Sequence, residues 1–350
     1  MNGDLMRTEM GEQPEVLARL IARRAETIAR VRAVMPTRPA GVLLVARGSS
    51  DNAALHARYL MELATGRPAA LAAPSLWTRY GASTMLSGWA AVAVSQSGRT
   101  PEIIDTVQQM RRVGAAVISV TNDENSDLAA VSDATIALEA DAELAVPATK
   151  TVTASVMALV HVAAGLGELP WGAEAEHHLP QAVEDILRDE TAVGSVLDTI
   201  PGLETVHVGR GYTLSVALEA ALKMQETTTQ GARGYATGDF LHGPIAAVGP
   251  QSAVFGYAAA GPTYDDVTGL LSLTRERGIA SVLVTDQSPV GVGGTDVEPQ
   301  PVLSVPAGLP EPLVAMLLIV RAQQLAFDVT RRAGLDPDRP RGLSKVTITR

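Results

Sequence analysis

Apolar and polar positions alternate between two periods along this chain. Val16, Leu17, Leu20, Ile21, Ile28 and Val31 recur at helical spacing among arginines, which predicts one amphipathic helix over 13–35, ended by Pro36 and Pro39. The apolar run Gly41 to Ala46 then reads as a buried strand, followed by the polar loop Arg47 to Asp51 and a helix through about Leu63. The cycle returns with a strand from Ala90 to Val94, a loop from Ser95 to Thr100, a helix from Pro101 to about Arg112, and a strand from Val117 to Thr121. Short apolar runs alternating with helices predict an α/β fold with parallel, doubly wound sheet, and the length of 350 residues favours about two domains.

The pattern repeats. VLLVARGSSDNAALHARYLMELATG from Val42 lines up with TVHVGRGYTLSVALEAALKMQETTT from Thr205, so that Arg47-Gly48 falls on Arg210-Gly211 at an offset of 163. VGAAVISVTND from Val113 lines up with RGIASVLVTDQ from Arg277 at an offset of 164. One gap over that span is more than helix periodicity would give, so two copies of one α/β unit are predicted. Their seam is placed in Gly165 to Glu176, a Gly/Pro/Trp-containing stretch. The domain reading is an N-terminal helix over 1–36, a first unit over 37–170, a second over 171–335 and a tail over 336–350.

Composition narrows the function. Hydrophobic residues at 46% and charged residues at 19% predict a folded chain, and aromatics at 3% leave no stacking platform for bases. The net charge of −10 without a long basic run argues against a nucleic-acid partner. The chain contains no cysteine, which excludes disulfides, thiolate nucleophiles and Cys-ligated zinc. His177-His178 cannot converge on one ion without further ligands, so no metal is expected, and His56, His161 and His207 lack a setting for chemistry. No leader-like segment and no uninterrupted apolar span of about twenty residues is read, so no membrane partner is expected and the cytoplasm is the expected location.

Candidate chemistry sits where the copies diverge. Ser95-Gln96-Ser97-Gly98-Arg99-Thr100 faces Ala258-Ala259-Ala260-Gly261-Pro262-Thr263: the glycine and threonine survive, predicting a retained turn, while the serines and glutamine do not. The first loop lies at the carboxyl end of a parallel strand, with Thr100 as N-cap, Pro101 at the first helical position and Glu102 complementing the dipole. Free N–H groups and hydroxyls around a glycine turn make an anion site, to which Arg99 could add; an ordinary Ser/Thr-rich turn is the alternative. Ser49 and Ser50 occupy the equivalent turn after the first strand. Glu219, Lys223 and Glu226 share one face of a helix predicted over about 214–229. A solvated ladder is the usual outcome of such spacing, but the apolar neighbours Leu218, Ala220, Ala221, Leu222 and Met224 favour burial and shifted proton affinities. His242, held in Leu241-His242-Gly243-Pro244, is an acid/base candidate. The tail Pro340 to Lys345 either frays or folds over a site and supplies an amine.

The ordered motifs SQSGRT, VPATKT, GRG…ALEAALKMQE, LHGP and PRGLSKVT make the chain resemble the tandem sugar-isomerase (SIS) domains of glucosamine-6-phosphate synthase and its standalone aminosugar-phosphate deaminase/isomerase relatives, from about residue 11 onward. The resemblance implies two flavodoxin-like doubly wound domains. It implies that Ser50, Ser95, Gln96, Ser97 and Thr100 hold phosphate and sugar hydroxyls, with Ser49 and Ser344 beside them, and that Val146 and Ala148 line the pocket. It further implies Glu226 as the base between C1 and C2, His242 from a neighbouring subunit as the ring-opening group, and Lys345 on the C2 carbonyl. Glu219 and Lys223 would support this set. The implied substrate is a phosphorylated aminosugar or ketose, such as glucosamine 6-phosphate going to fructose 6-phosphate and ammonia, in a homodimer with no cofactor. The sequence departs from the synthase in lacking its amidotransferase domain and in carrying Arg99 and Arg233 at positions acidic there. Glutaminase activity is therefore not expected. Two other outcomes stay open: a dehydratase or deglycase using the same enediol, and a non-catalytic sugar-phosphate sensor.

Overall fold

The computed structural model describes residues 3–200, 204–288 and 300–345, in two compact units. The first unit comprises Glu12–Glu143, Ala148–His177 and the chain from Ser344; the second comprises the chain up to Gly11, Leu144–Pro147 and His178–Leu343. The motif VPATKT and the C-terminal tail are thus each divided between units.

In the first unit, β1 (Val42–Val45), β2 (Ala69–Leu71), β3 (Ala90–Val94), β4 (Ala116–Thr121) and β5 (Ala134–Ala137) form one parallel sheet in the order β2-β1-β3-β4-β5. All five residues of β3 are buried, as expected of a central strand covered on both faces. In the second unit, β6 (Glu204–Gly209), β7 (Arg233–Ala236), β8 (Ser252–Ala258), β9 (Ala280–Thr285) and β10 (Val302–Ser304) are ordered β10-β9-β8-β6-β7. Counted from each unit's own first strand, the two orders are the same. The register agrees as well: Val42 pairs with Ala90 and Thr205 with Ala253, each partner displaced by the offset read from the sequence. Ala90 pairs with Ala116 and Ala253 with Ala280, which places the one-residue gap between the third and fourth strands. The duplication is structural.

Each unit closes with a helix buried nearly all round, as expected of a helix apolar on every face. Lys150–Leu166 packs on Ser49–Thr65 in the first unit, and Glu311–Arg332 packs on Tyr212–Thr228 in the second. Glu311–Arg332 is long and apolar enough to cross a membrane by length and composition, but 94% of its apolar window is buried inside the protein.

Three expectations are corrected. The helix over 13–35 is two helices, Gln13–Ala22 and Arg24–Val34, parted at Arg23. There the guanidinium groups of Arg19 and Arg23 reach out to Glu139, a tertiary contact that spacing does not encode. Asp4–Gly11 forms a separate helix inside the region read as one N-terminal helix over 1–36, and Pro14, which suits a first helical turn, starts the next one. The seam falls at His177, at the end of the expected stretch, because Lys150–Leu166 carries its helical pattern through Gly165.

His207 shows how β6 tolerates a polar core. Its Nδ1 lies 3.0 Å from the Tyr257 hydroxyl and its Nε2 3.0 Å from the Thr205 hydroxyl, while the ring stacks on Phe255. Burial pushes its pKa down to about 3, and that of the buried His56 to about 4. An unfolded histidine titrates near 6.5, so below that pH the unfolded chain binds protons that the folded chain refuses. Each histidine should therefore remove ~1.4 kcal/mol of stability per pH unit as pH falls from about 6.5 toward its folded value. Urea midpoints at pH 7 and pH 5 should converge in His207→Asn relative to the unaltered chain; an unchanged gap would refute the assignment.

Candidate active site

The strand order reverses between β1 and β3, and ligands of open parallel sheets bind outside the carboxyl ends of the strands at such a point. Two loops meet there. After β1, Gly48 adopts φ +59° and lets the helix Ser49–Thr65 begin at once, with Ser49 and Ser50 half-buried in its first turn. After β3 comes Ser95 to Thr100. An Arg47–Glu102 ion pair at 3.0 Å spans the two loops, so Glu102 serves as a charge partner as well as an N-terminal acid.

The Ser95–Thr100 loop is held through its backbone. Ser95 N–H donates to Val120 C=O, Asn122 N–H to Gln96 C=O, and Leu128 N–H to Gly98 C=O. Gly98 stands at φ +62°, and a Cβ there would lie 2.1 Å from the Ser126 hydroxyl. The N–H groups of Gln96 and Ser97 have no acceptor among the described residues. Thr100 does not cap the following helix through its side chain; its hydroxyl instead lies 3.4 Å from that of Ser95. Arg99 is exposed and pairs with Asp123, so the positive charge that could have joined the loop is spent on a neighbour. The result is a turn with free donors and hydroxyls and no lysine, a cradle suited to a small anion.

The same unit contains a feature the motifs missed. Glu139 and Asp141 both take left-handed φ, +53° and +51°, a cost of order 1–3 kcal/mol each for residues with a Cβ. Arg19 holds this segment by donating twice to Glu139 C=O and pairing with Asp141, and Asn122 donates to Asp141 C=O. The strained segment delivers Glu143, whose buried carboxylate accepts Thr149 N–H at 2.9 Å, Thr151 N–H at 3.1 Å and the Thr151 hydroxyl at 2.7 Å. Its remaining partner is Lys345 Nζ at 2.6 Å. Burial alone would push the Glu143 carboxyl up, but the Lys345 ammonium and these hydrogen bonds hold it below the usual range. The tail does not fray ahead of Lys345; it sets that lysine on the carboxylate. An acid shortly before a Thr-Lys-Thr helix start was the available signal. Ser344 precedes Lys345 in the tail and Ala148 is half-buried in this unit; Val146 belongs to the second, its N–H on Asp338 C=O.

In the second unit, Glu219, Lys223 and Glu226 share one face of Tyr212–Thr228, which matches the predicted helix within two residues at each end. Lys223 is fully buried, hydrogen-bonded to Glu226 and 3.5 Å from the buried Glu219. Glu226 alone of the three retains substantial exposure, 22% of its side chain. The solvated-ladder alternative fails. His242 is exposed at the end of the short helix Thr237–Leu241, and its ring has no hydrogen-bond partner among the described residues.

The expected retention of the turn in the second copy is only partial. Tyr264–Glu276 starts where the offset places it, but Gly261 is not left-handed. A Cβ on Gly261 would lie 2.6 Å from the Glu311 carboxylate, Thr263 donates toward Glu311, and Ala260 N–H donates to Asp286. The protein's own carboxylates occupy this turn.

The SIS domain family matches residues 39–164 and 205–294, one stretch in each unit and more than half of the chain. The chain belongs to the SIS-domain family. A glutamine–fructose-6-phosphate aminotransferase (isomerizing) of Zymomonas mobilis is 30% identical over 319 residues, 88% of this chain and 52% of that protein. This SIS chain thus spans about half the length of that relative. A provisional phosphosugar isomerase from Silicibacter pomeroyi superposes with a TM-score of 0.83 at 32% identity, covering 97% of this chain and 100% of its own. A glucosamine-6-phosphate deaminase from Thermotoga maritima shares the fold with a TM-score of 0.69 at 22% identity over 95% of this chain and 100% of its own.

Gly98 is the residue on which the Ser95–Thr100 loop of this SIS domain turns. Gly98→Ala should destabilise the first unit by about 1–3 kcal/mol, through left-handed strain and the Ser126 contact. Phosphate binding by calorimetry should weaken at least tenfold; unaltered binding would show that the loop does not hold the anion.

Proposed function

We propose that the chain is an aldose–ketose isomerase/deaminase acting on a 6-phosphorylated aminosugar such as glucosamine 6-phosphate. The observation that carries this reading is the Lys345 ammonium set on buried Glu143 in the same unit as an anion-binding turn. Neutral donors at Ser50, Ser95, Gln96, Ser97 and Thr100 receive the phosphate. The C2 proton of an open-chain 2-amino aldose is acidic only beside the carbonyl, and a carboxylate removes it. Glu226 suits that role, because Lys223 holds it in place by an ion pair while its own exposure keeps it reachable. Returning the proton to C1 leaves an imine at C2. Addition of water across that C=N bond and loss of the amine then yield fructose 6-phosphate and ammonia. Lys345, which can exchange into the same imine, holds C2 meanwhile. His242 opens the ring, supplied by a second copy in a homodimer.

Relatives of matching sequence carry phosphosugar and fructose-6-phosphate names, which supports the substrate class. With no cysteine in the chain, free ammonia rather than glutamine nitrogen is the exchanged species. The cytoplasm, where sugar phosphates are made, is the proposed location. Arg99 and Arg233, which depart from the synthase, pair at the surface with Asp123 and Glu204.

Glucosamine 6-phosphate should release ammonia and fructose 6-phosphate in equal amounts. Glu226→Gln should lower kcat by ~10²–10⁴. Borohydride with fructose 6-phosphate should add one sugar to Lys345, read by peptide mass. Absence of both turnover and adduct sinks the reading.

A further inference from the structure

The helix Asp4–Gly11 lies ahead of every motif in the chain, yet it is tied to two segments that bear on Glu143 and Lys345. The first N–H groups of a helix have no partner inside it. Here they are taken by one tail carboxylate: Asp338 accepts Gly3 N–H at 3.2 Å, Leu5 N–H at 3.1 Å and Met6 N–H at 2.8 Å. Asp338 is itself buried, and its negative charge faces the positive end of the helix dipole. Its backbone carbonyl accepts Val146 N–H at 3.0 Å. From the same helix the buried Glu9 carboxylate accepts Leu144 N–H, and Ala145 N–H at 3.2 Å.

Apolar packing follows the same lines. Met6 and Met10 cluster with Ala145 and Phe327, and the Arg7 guanidinium stands 5.3 Å from the centre of the Phe327 ring. Gly3, at φ +93°, fits between neighbours so closely that a Cβ would come within 2.9 Å of both Phe327 and Pro337. One helix of eight residues therefore holds the segment 144–146, which follows directly on Glu143, and the tail at 337–338, which runs on to Lys345.

We propose that Asp4–Gly11 is a positioning element for the reaction: through Asp338 and Glu9 it fixes the segments that carry Lys345 and Glu143. Glu9 and Asp338 touch no reacting atom; they act through the residues they anchor. The inference rests on the role given to Lys345 above, and its test separates the two.

Asp338→Asn, Asp338→Ala and Glu9→Gln are compared with the unaltered full chain by three measurements. Amide hydrogen exchange across 338–345 should speed up at least tenfold in Asp338→Ala and by less in Asp338→Asn, while the β1 and β3 amides keep their protection. With glucosamine 6-phosphate, kcat and borohydride trapping at Lys345 should fall at least tenfold, while competitive inhibition by inorganic phosphate stays within twofold. Should Asp338→Ala fail to fold, Asp338→Asn and Glu9→Gln carry the test alone, since both keep the side-chain volume. Unchanged tail exchange in these variants, or a fall in kcat matched by an equal loss of phosphate inhibition, overturns the proposal. An unaltered chain that neither turns over nor traps sugar sinks the functional reading instead, and the exchange measurement still decides whether the helix holds the tail.

Discussion

Where a parallel sheet places its first strand beside its third, the chain leaves those two strands toward opposite faces, and their loops part to leave a crevice. In the first unit that constraint puts Ser49 and Ser50 on one side and Ser95 to Thr100 on the other, bridged by Arg47 and Glu102. The crevice has unspent donors at the Gln96 and Ser97 amides among the described residues, and each βα turn carries a glycine at positive φ, Gly48 and Gly98. A phosphate needs several such donors at once, and a turn of neutral groups can supply them without a lysine.

Within each unit several buried charges among the described residues are paired, as the cost of desolvating an ion requires. Glu143 accepts three hydrogen bonds from Thr149 and Thr151, and against the cost of burial the Lys345 ammonium, together with these, holds its carboxyl below the usual range. Lys150, at a helix start where the dipole disfavours a cation, is buried but paired with Glu12. Lys223 lies between two glutamates, one buried and one partly exposed. Removing one member of such a set leaves an uncompensated charge, so these residues hold proton affinities and geometry together.

The repeat, the parallel doubly wound architecture, the turn between β3 and its helix and the Glu219/Lys223/Glu226 face were legible because each is a local pattern: strand period, helix period, or a turn residue at fixed offset. What escaped was tertiary. Nothing near Arg23 breaks a helix in sequence; its partner Glu139 lies more than a hundred residues away. Glu143 reads as one acid among several until Thr149, Thr151 and Lys345 surround it. Asp4–Gly11 carries little apolar periodicity, and it is stable because Asp338 satisfies its first amides from the far end of the chain. Arg99 looked like part of the anion site by adjacency alone, yet a neighbouring aspartate claims it.

Duplication explains why two such different turns share one backbone plan. A βα turn at the switch point presents donors whether or not a ligand comes, and buried donors left without acceptors are costly. In the second copy the loss of the serines and glutamine was accompanied by an internal acceptor: Asp286 takes the Ala260 N–H, and Glu311 fills the space against Gly261. Burial, with Asp286 nearby, raises the Glu311 carboxyl above its ordinary range, so its charge is held reluctantly. That is what a carboxylate seated in a turn without a cation should show. A phosphate entering this turn would meet two acids, whereas in the first copy it meets amides and hydroxyls. The copies therefore differ in what one equivalent turn presents, carboxylates in the second and amides and hydroxyls in the first, and only the latter suits an anion.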